Sequence, residues 1–436
     1  MTHVSVMFKT LLVLMLLLPA AAQAQKPPPL GGPTAVATDR KPEALPPLQP
    51  GPRPPAAAQT APNPAAQAPV ARPPVPAAAP PAAAAPPPAA PPPSPAAFNA
   101  YRAVLSAASL PAGSASNVVT GWTMHYRGAV PNAAFVMAAA PDGRLHRWRF
   151  ISGRESPEVA RRDAMSLCET QDLANAPPGT ACRILAVNLA LEGQRPVMAP
   201  RTETIGPFRA SPLHWRHAPQ QAAGVVLWSH GYGGTTSDNR NSNAPGFLSV
   251  LNDAGFDIYR FDRSPQEDDV AASLARLLRE APLLRAAGYR RVVMAGQSRG
   301  AWQSILLAGA MPEAVDAVIA AAPAAHGSDA AGHTMAVDDF RRALSGLTAA
   351  RPRLAVALFD GDPFDPDVAT RSGLVEAMVD RRTAPTLLLR PPTIRGHGGA
   401  TELGFTQTYG ACLLTFLIAP EAAAPRGVRR NICGGG

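Results

Sequence analysis

Four short segments of this 436-residue chain set a reactive side chain among glycines. In Gly296-Gln297-Ser298-Arg299-Gly300, a serine stands between the apolar run Val292 to Ala295 and the helical pattern from Ala301. A serine on such a strand-to-helix turn is exposed as a nucleophile, and the neighbouring glycines let strand and helix approach closely. The start of the helix also points backbone N–H groups at any anion that forms beside Ser298. A hydroxyl needs a base, because it is a poor nucleophile near its free pKa. His397, in Arg395-Gly396-His397-Gly398-Gly399 just past the strand-like run Thr386 to Leu389, is placed to be that base. The orienting acid is expected between the two in chain order, where Asp360-Gly361-Asp362-Pro363-Phe364-Asp365 follows another apolar run. Asp362 is the first choice, Asp365 the second and Asp360 the third; the remaining two would cap the turn. The acid would hold the imidazole tautomer and stabilise the imidazolium. Last, His230-Gly231-Tyr232-Gly233-Gly234 leaves the backbone free to turn N–H groups toward the serine. The amides of Tyr232 and Arg299 would form an oxyanion hole, each donor contributing about 3 kcal/mol. His230 itself reads as structural, His326 and His333 as exposed or lining the cleft, and His125 and His146 as surface or packing residues.

These residues need a rigid support. From about Ala222, apolar runs recur at Val225–Ser229, Phe256–Phe261, Val292–Ala295, Ala317–Ala322, Leu354–Phe359 and Thr386–Leu389. Helical patterns lie between or after them at Val270–Ala287, Ala301–Met311, Val337–Leu347, Val368–Val379 and Leu403–Leu417. Short apolar strands alternating with helices predict an α/β fold, a doubly wound and mostly parallel sheet with helices on both faces. Each reactive segment would then fall at the carboxyl end of a strand, where such sheets place working residues.

The segments HGYGG, GQSRG, DGDPF and GHGG, in that order on alternating strands and helices, resemble the α/β-hydrolase superfamily, nearest to its dienelactone-hydrolase-like and small esterase members. The resemblance covers roughly Thr202 to Gly436. It implies an α/β-hydrolase domain at 200–436, with Ser298, Asp362 and His397 as a catalytic triad and no metal or organic cofactor. The segment between Ala322 and Leu354 is short, which argues against the large lid of long-chain lipases. The expected activity is cleavage of a small or medium carboxylic ester through an acyl-enzyme. A serine peptidase, or an inactive scaffold that binds the cell envelope, are the alternatives.

Before residue 200 the composition changes. About half of the 51 prolines fall between Pro27 and Pro95, among alanines and almost no large apolar side chains. Residues 25–97 therefore read as a disordered, polyproline-rich tether. Residues 1–24 have the parts of a signal peptide: Lys9, the apolar run Leu11 to Leu18, and Ala22-Gln23-Ala24 before Gln25. Export to the periplasm or medium is expected. Residues 98–195 read as a small α+β module: an apolar run at Ala133–Ala140, the turn Pro141-Asp142-Gly143, an alternating strand at Leu145–Ile151, a helix begun by Ser156-Pro157, and a strand at Cys182–Leu189. An even count of four cysteines in an exported chain suggests disulfides, most economically Cys168–Cys182 and Cys412–Cys433. The net charge of +9 is carried mostly by arginines spread along the chain, which suits weak attraction to an anionic envelope surface better than nucleic acid. Nothing in the pattern specifies an oligomeric state.

Overall fold

The computed structural model describes residues 115–433, except Val197, Thr235, Thr236 and Pro366. The export signal, the tether and the first residues of the small module lie outside those described residues.

After helix α1 (Ala115–Met124), strands β1 (Ala134–Ala139), β2 (Leu145–Ile151), β3 (Ala181–Val187) and β4 (Ala190–Leu191) form an antiparallel sheet in the order β2-β1-β3-β4. Helix α2 (Pro157–Leu167) lies between β2 and β3 in sequence. Ser156 caps it by accepting the Val159 amide at 3.2 Å, and Pro157 fills the first turn, where no donor is needed. Every residue of β1 is buried, because both of its faces are covered. Ala134, Val136 and Ala138 pack on Ala160 and Ala164 of α2, while Phe135 and Met137 pack on Trp122 and Tyr126. A disulfide joins Cys168 to Cys182, with Cα atoms 6.1 Å apart.

The second sheet has nine strands. They are β5 (Thr204–Ile205), β6 (Phe208–Ala210), β7 (Gly224–Ser229), β8 (Phe256–Phe261), β9 (Val292–Gln297), β10 (Ala317–Ala321), β11 (Arg353–Ala357), β12 (Thr386–Leu389) and β13 (Gly427–Arg429). Their order is β13-β12-β11-β10-β9-β7-β8-β6-β5. All pairings from β8 through β13 are parallel, and β5 and β6 add an antiparallel edge. The connecting helices are α3 (Phe247–Asp253), α4 (Val270–Glu280), α5 (Pro282–Ala286), α6 (Arg299–Ala310), α7 (Ala330–Ser345), α8 (Val368–Arg381) and α9 (Leu403–Ile418).

Period-two alternation along each strand assigns side chains to two apolar layers. Val225, Leu227, Val292, Met294, Val318 and Val356 face the layer that contains α4, α6, α7 and α8. Val226, Trp228, Val293, Ala295, Ile319 and Ala355 face α3 and α9. The sheet is thus doubly wound and buried on both sides, as its continuous apolar runs require.

Two helices differ from the sequence reading. The stretch expected as one helix over Val270–Ala287 is two, because Pro282 cannot donate into the α4 ladder and starts α5 instead. Helix α7 begins at Ala330 rather than Val337, because the Asp329 side chain accepts the Gly332 amide and caps it earlier.

The two sheets meet through α1, which packs on α3 and α9. Arg127, fully buried, reaches the side chains of Asn252 and Asp253, and its guanidinium lies 5.4 Å from the Trp215 ring centre. The Ala244 amide donates to the Gly128 carbonyl at 2.7 Å, and a Cβ at 128 would fall on the Ala244 carbonyl. Among the described residues, no helix is long and apolar enough to cross a membrane.

Candidate active site

Strand β9 ends at Gln297 and α6 starts at Arg299, so Ser298 alone carries the reversal of the chain. Its φ of 56° and ψ of −122° lie in a region that costs a non-glycine residue about 1–3 kcal/mol. Backbone hydrogen bonds hold it there. The Ser298 amide donates to Ala321 at 3.0 Å, and its carbonyl accepts from Trp302 at 3.0 Å and Ala324 at 3.2 Å. The flanking glycines are obligatory. A Cβ on Gly300 would fall on the Ser229 carbonyl, and one on Gly296 would fall on the backbone of Gly300 and Ala301. Strand β7 pairs with β8 on one side and β9 on the other, so the winding direction switches beside Ser298 and opens a crevice there.

His397 and Asp362 come from the loops after β12 and β11. Those two loops remain paired past the strand ends, through the parallel bridge between Asp360 and Arg395 and the Gly396 amide donating to the Asp360 carbonyl at 2.9 Å. The pairing brings His397 Nδ1 to 2.9 and 2.8 Å from the two Asp362 carboxylate oxygens. A carboxylate can only accept, so Nδ1 carries a ring proton, and in the neutral imidazole this tautomer leaves the lone pair on Nε2. Asp362 is buried and also accepts the Phe364 amide at 2.9 Å, and the Phe364 ring packs 4.5 Å from the imidazole. Gln297, the residue before the serine, donates from Nε2 to the His397 carbonyl at 3.0 Å.

The other two aspartates of the turn have separate partners. Asp365 pairs at 2.9 Å with the buried Arg371, and burial raises its pKa above the ordinary carboxylate range despite that arginine. Asp360 pairs at 2.8 Å with Arg390. Of the three candidates, the structure brings only Asp362 to His397.

On the opposite side, the 230–234 loop is held by His230, as the sequence reading expected of a structural residue, and by Arg263, which that reading did not single out. The Arg263 amide donates to His230 Nε2 at 3.0 Å, and His230 Nδ1 therefore carries the proton and donates to the Gly231 carbonyl at 2.7 Å. Burial, reinforced by the Arg263 charge, lowers the His230 pKa to about 3. The imidazole is a neutral strut. The Arg263 guanidinium, itself buried, pairs with Asp268 at 2.7 Å and reaches the Ser229 hydroxyl and the His230 carbonyl. Arg299 donates to the Asp268 carbonyl and lies 3.7 Å from the centre of the Tyr232 ring. The Arg299 amide is the first of α6 and has no acceptor within the helix.

His326 departs from expectation. Its side chain is buried, 2.8 Å from Asp339 and edge-on to Trp302, and burial lowers its pKa. The Ala-rich segment after β10 folds inward onto α6, which covers it. His333, on α7, donates from Nε2 to the Pro363 carbonyl at 3.0 Å on the rim of the acid turn. Arg263 carried no mark in the sequence, whereas Gln297 sat inside the serine motif and could have been read as a bridge to the base.

The strand order, the strained serine after β9 and the chain order serine, aspartate, histidine decide the fold. Residues 204–429 form an α/β-hydrolase fold. No protein-family model matches the chain, and no curated protein matches it. Similar solved structures include a prolyl endopeptidase at 17% identity and TM-score 0.36, covering 48% of this chain and 35% of that one. Est1E from Butyrivibrio proteoclasticus, solved with ferulic acid, is similar at 16% identity and TM-score 0.33, over 46% of this chain and 91% of that one. Dienelactone hydrolase from Anabaena variabilis is similar at 22% identity and TM-score 0.30, over 44% of this chain and 85% of that one. This chain thus spans about a third of the prolyl endopeptidase.

Proposed function

We propose that the α/β-hydrolase unit is a serine hydrolase that cleaves small or medium carboxylic esters through an acyl-enzyme. The observation that carries this reading is the His397–Asp362 pair at 2.8 Å, whose tautomer leaves Nε2 free to accept a proton. In this mechanism Ser298 Oγ adds to the ester carbonyl carbon as His397 Nε2 takes the hydroxyl proton. The carbonyl oxygen becomes an oxyanion received by the amides of Tyr232 and Arg299. Collapse breaks the ester C–O bond, and the imidazolium returns its proton to the leaving alcohol. Water then adds to the acyl-serine with His397 again as base, releasing the carboxylic acid and regenerating Ser298. Asp362 keeps the imidazole oriented and stabilises its charged form throughout.

A single helix, α7, connects β10 to β11, which favours a substrate entering from solvent. The export signal read from the sequence supports an activity outside the cytoplasm, and the net charge of +9 would suit weak contact with an anionic envelope. Labelling with a fluorophosphonate tests the reading. Wild-type protein is expected to label and Ser298→Ala to lose the label. Equal labelling of both would remove Ser298 as the nucleophile, and no labelling of the wild type would favour an inactive binding scaffold. A panel of acyl esters of graded length then sorts the acyl preference.

A further inference from the structure

The two amides assigned to the oxyanion hole belong to residues whose side chains stack on each other. The Arg299 guanidinium lies 3.7 Å from the Tyr232 ring centre, well inside the range of a cation–π contact. Tyr232 is 42% exposed. Its backbone neighbours are Gly231, whose carbonyl accepts from His230 Nδ1 at 2.7 Å and Asn239 Nδ2 at 2.9 Å, and Gly233, followed by Gly234 at φ +80°, so beyond Gly231 the chain itself adds little stiffness. The guanidinium is fixed at its other end: it donates to the Asp268 carbonyl and lies 3.8 Å from the Asp268 carboxylate, which Arg263 holds in turn. A chain of contacts therefore runs from the buried Arg263–Asp268 pair, through Arg299, to the exposed ring of Tyr232.

We propose that Arg299 and Tyr232 are, through their side chains, positioning residues for the oxyanion hole: their stack sets the Tyr232 amide at a fixed spacing from the Arg299 amide. The serine elbow already anchors the Arg299 amide, and the stack extends that anchorage to a glycine-flanked loop. Lysine at 299 keeps the charge but lacks the planar face that covers an aromatic ring. The inference rests on the hydrolase reading, and its effect belongs to the step in which the oxyanion forms.

Phosphonylation of Ser298 tests this without knowledge of the natural ester, because the fluorophosphonate passes through a similarly charged transition state. The maximal labelling rate and the half-saturating probe concentration are measured separately on the full-length protein. Tyr232→Leu and Arg299→Lys are expected to lower the maximal rate about 10–100-fold, the range that a misplacement near 1 Å causes. The half-saturating concentration should move less than about twofold, because binding is not what the stack controls. Tyr232→Phe keeps the ring and should recover most of the loss. A Tyr232→Leu variant that labels at the wild-type rate overturns the proposal, as does a Tyr232→Phe variant as slow as Tyr232→Leu. Wild-type protein that does not label at all would instead refute the hydrolase reading on which the stack depends. Circular dichroism of each variant separates misfolding from misplacement, and an unfolded Tyr232→Leu leaves Arg299→Lys to decide.

Discussion

On the base side of Ser298, each aspartate of the 360–365 turn has its own partner: Asp360 with Arg390, Asp362 with His397 and Asp365 with Arg371. On the oxyanion side, the 230–234 loop has no charged residue and is held by arginines reaching in from positions 263 and 299. The base side is therefore organised by its own carboxylates, and the oxyanion side by imported cations. A carboxylate in the turn can reach a histidine beyond the neighbouring strand because the loops after β11 and β12 stay paired. Apart from the His230 strut, a glycine loop that must point amides inward has few side chains to spare for such ties. The rest of its rigidity has to come from outside.

Substitutions on the two sides should therefore fail differently. The largest effect is expected at Asp362→Asn, which should lower the maximal rate of ester hydrolysis about 10³–10⁴-fold by losing the tautomer that frees Nε2. Asp360→Asn, on the same turn, should stay within about threefold of wild type; an equal loss in both would mean that the turn, not the Asp362 contact, matters. On the oxyanion side the first casualty should be stability. Arg263→Met leaves the buried His230 carbonyl without its partner and Asp268 with only the longer Arg299 contact, and should destabilise the fold by about 3 kcal/mol in urea titration. A variant as stable as wild type would dissolve the contrast. The smallest effect is a slope. His230 is neutral in the folded protein down to about pH 3, but binds a proton in the unfolded chain below its ordinary 6.5. The unfolded state therefore holds more protons between those limits, and stability falls as pH falls from 6.5 toward 3, by about 1.4 kcal/mol per pH unit for this one residue. His230→Gln should flatten the measured slope by that amount; an unchanged slope would mean that His230 is charged in the fold.

Much of this was legible in the residues. Ser298 and His397 stand among glycines at strand ends, and the central strands announce themselves as continuous apolar runs. What stayed hidden has physical reasons. Strands β5, β6 and β13 have two or three residues each, too few to show a period. Helix α3 is seven residues long and buried along most of its length, so it has no polar face to mark it. The choice among three aspartates depended on Arg371 and Arg390, which approach from α8 and from the end of β12 and leave no trace in the turn itself. Nothing in the sequence marks Arg263, and only the fold shows it enclosed between Ser229, His230 and Asp268.

The disulfide from Cys412 in α9 to Cys433, with Cα atoms 5.0 Å apart, closes the chain just after β13. That strand is one of the two edges of the large sheet and pairs with β12 over three residues, from Leu387 to Leu389. Three residues of ladder are a weak seal on a sheet border. The covalent link turns the last strand into a latch on that border, backed by the Tyr409 hydroxyl donating to the Arg430 carbonyl at 2.5 Å. With the cysteines reduced, the latch can peel away and bare the backbone of β12, whose TLLL sequence is well suited to pair with a neighbouring molecule. The oxidation state of one cysteine pair, far from the reacting atoms, thus bears on whether the folded molecules stay apart from one another.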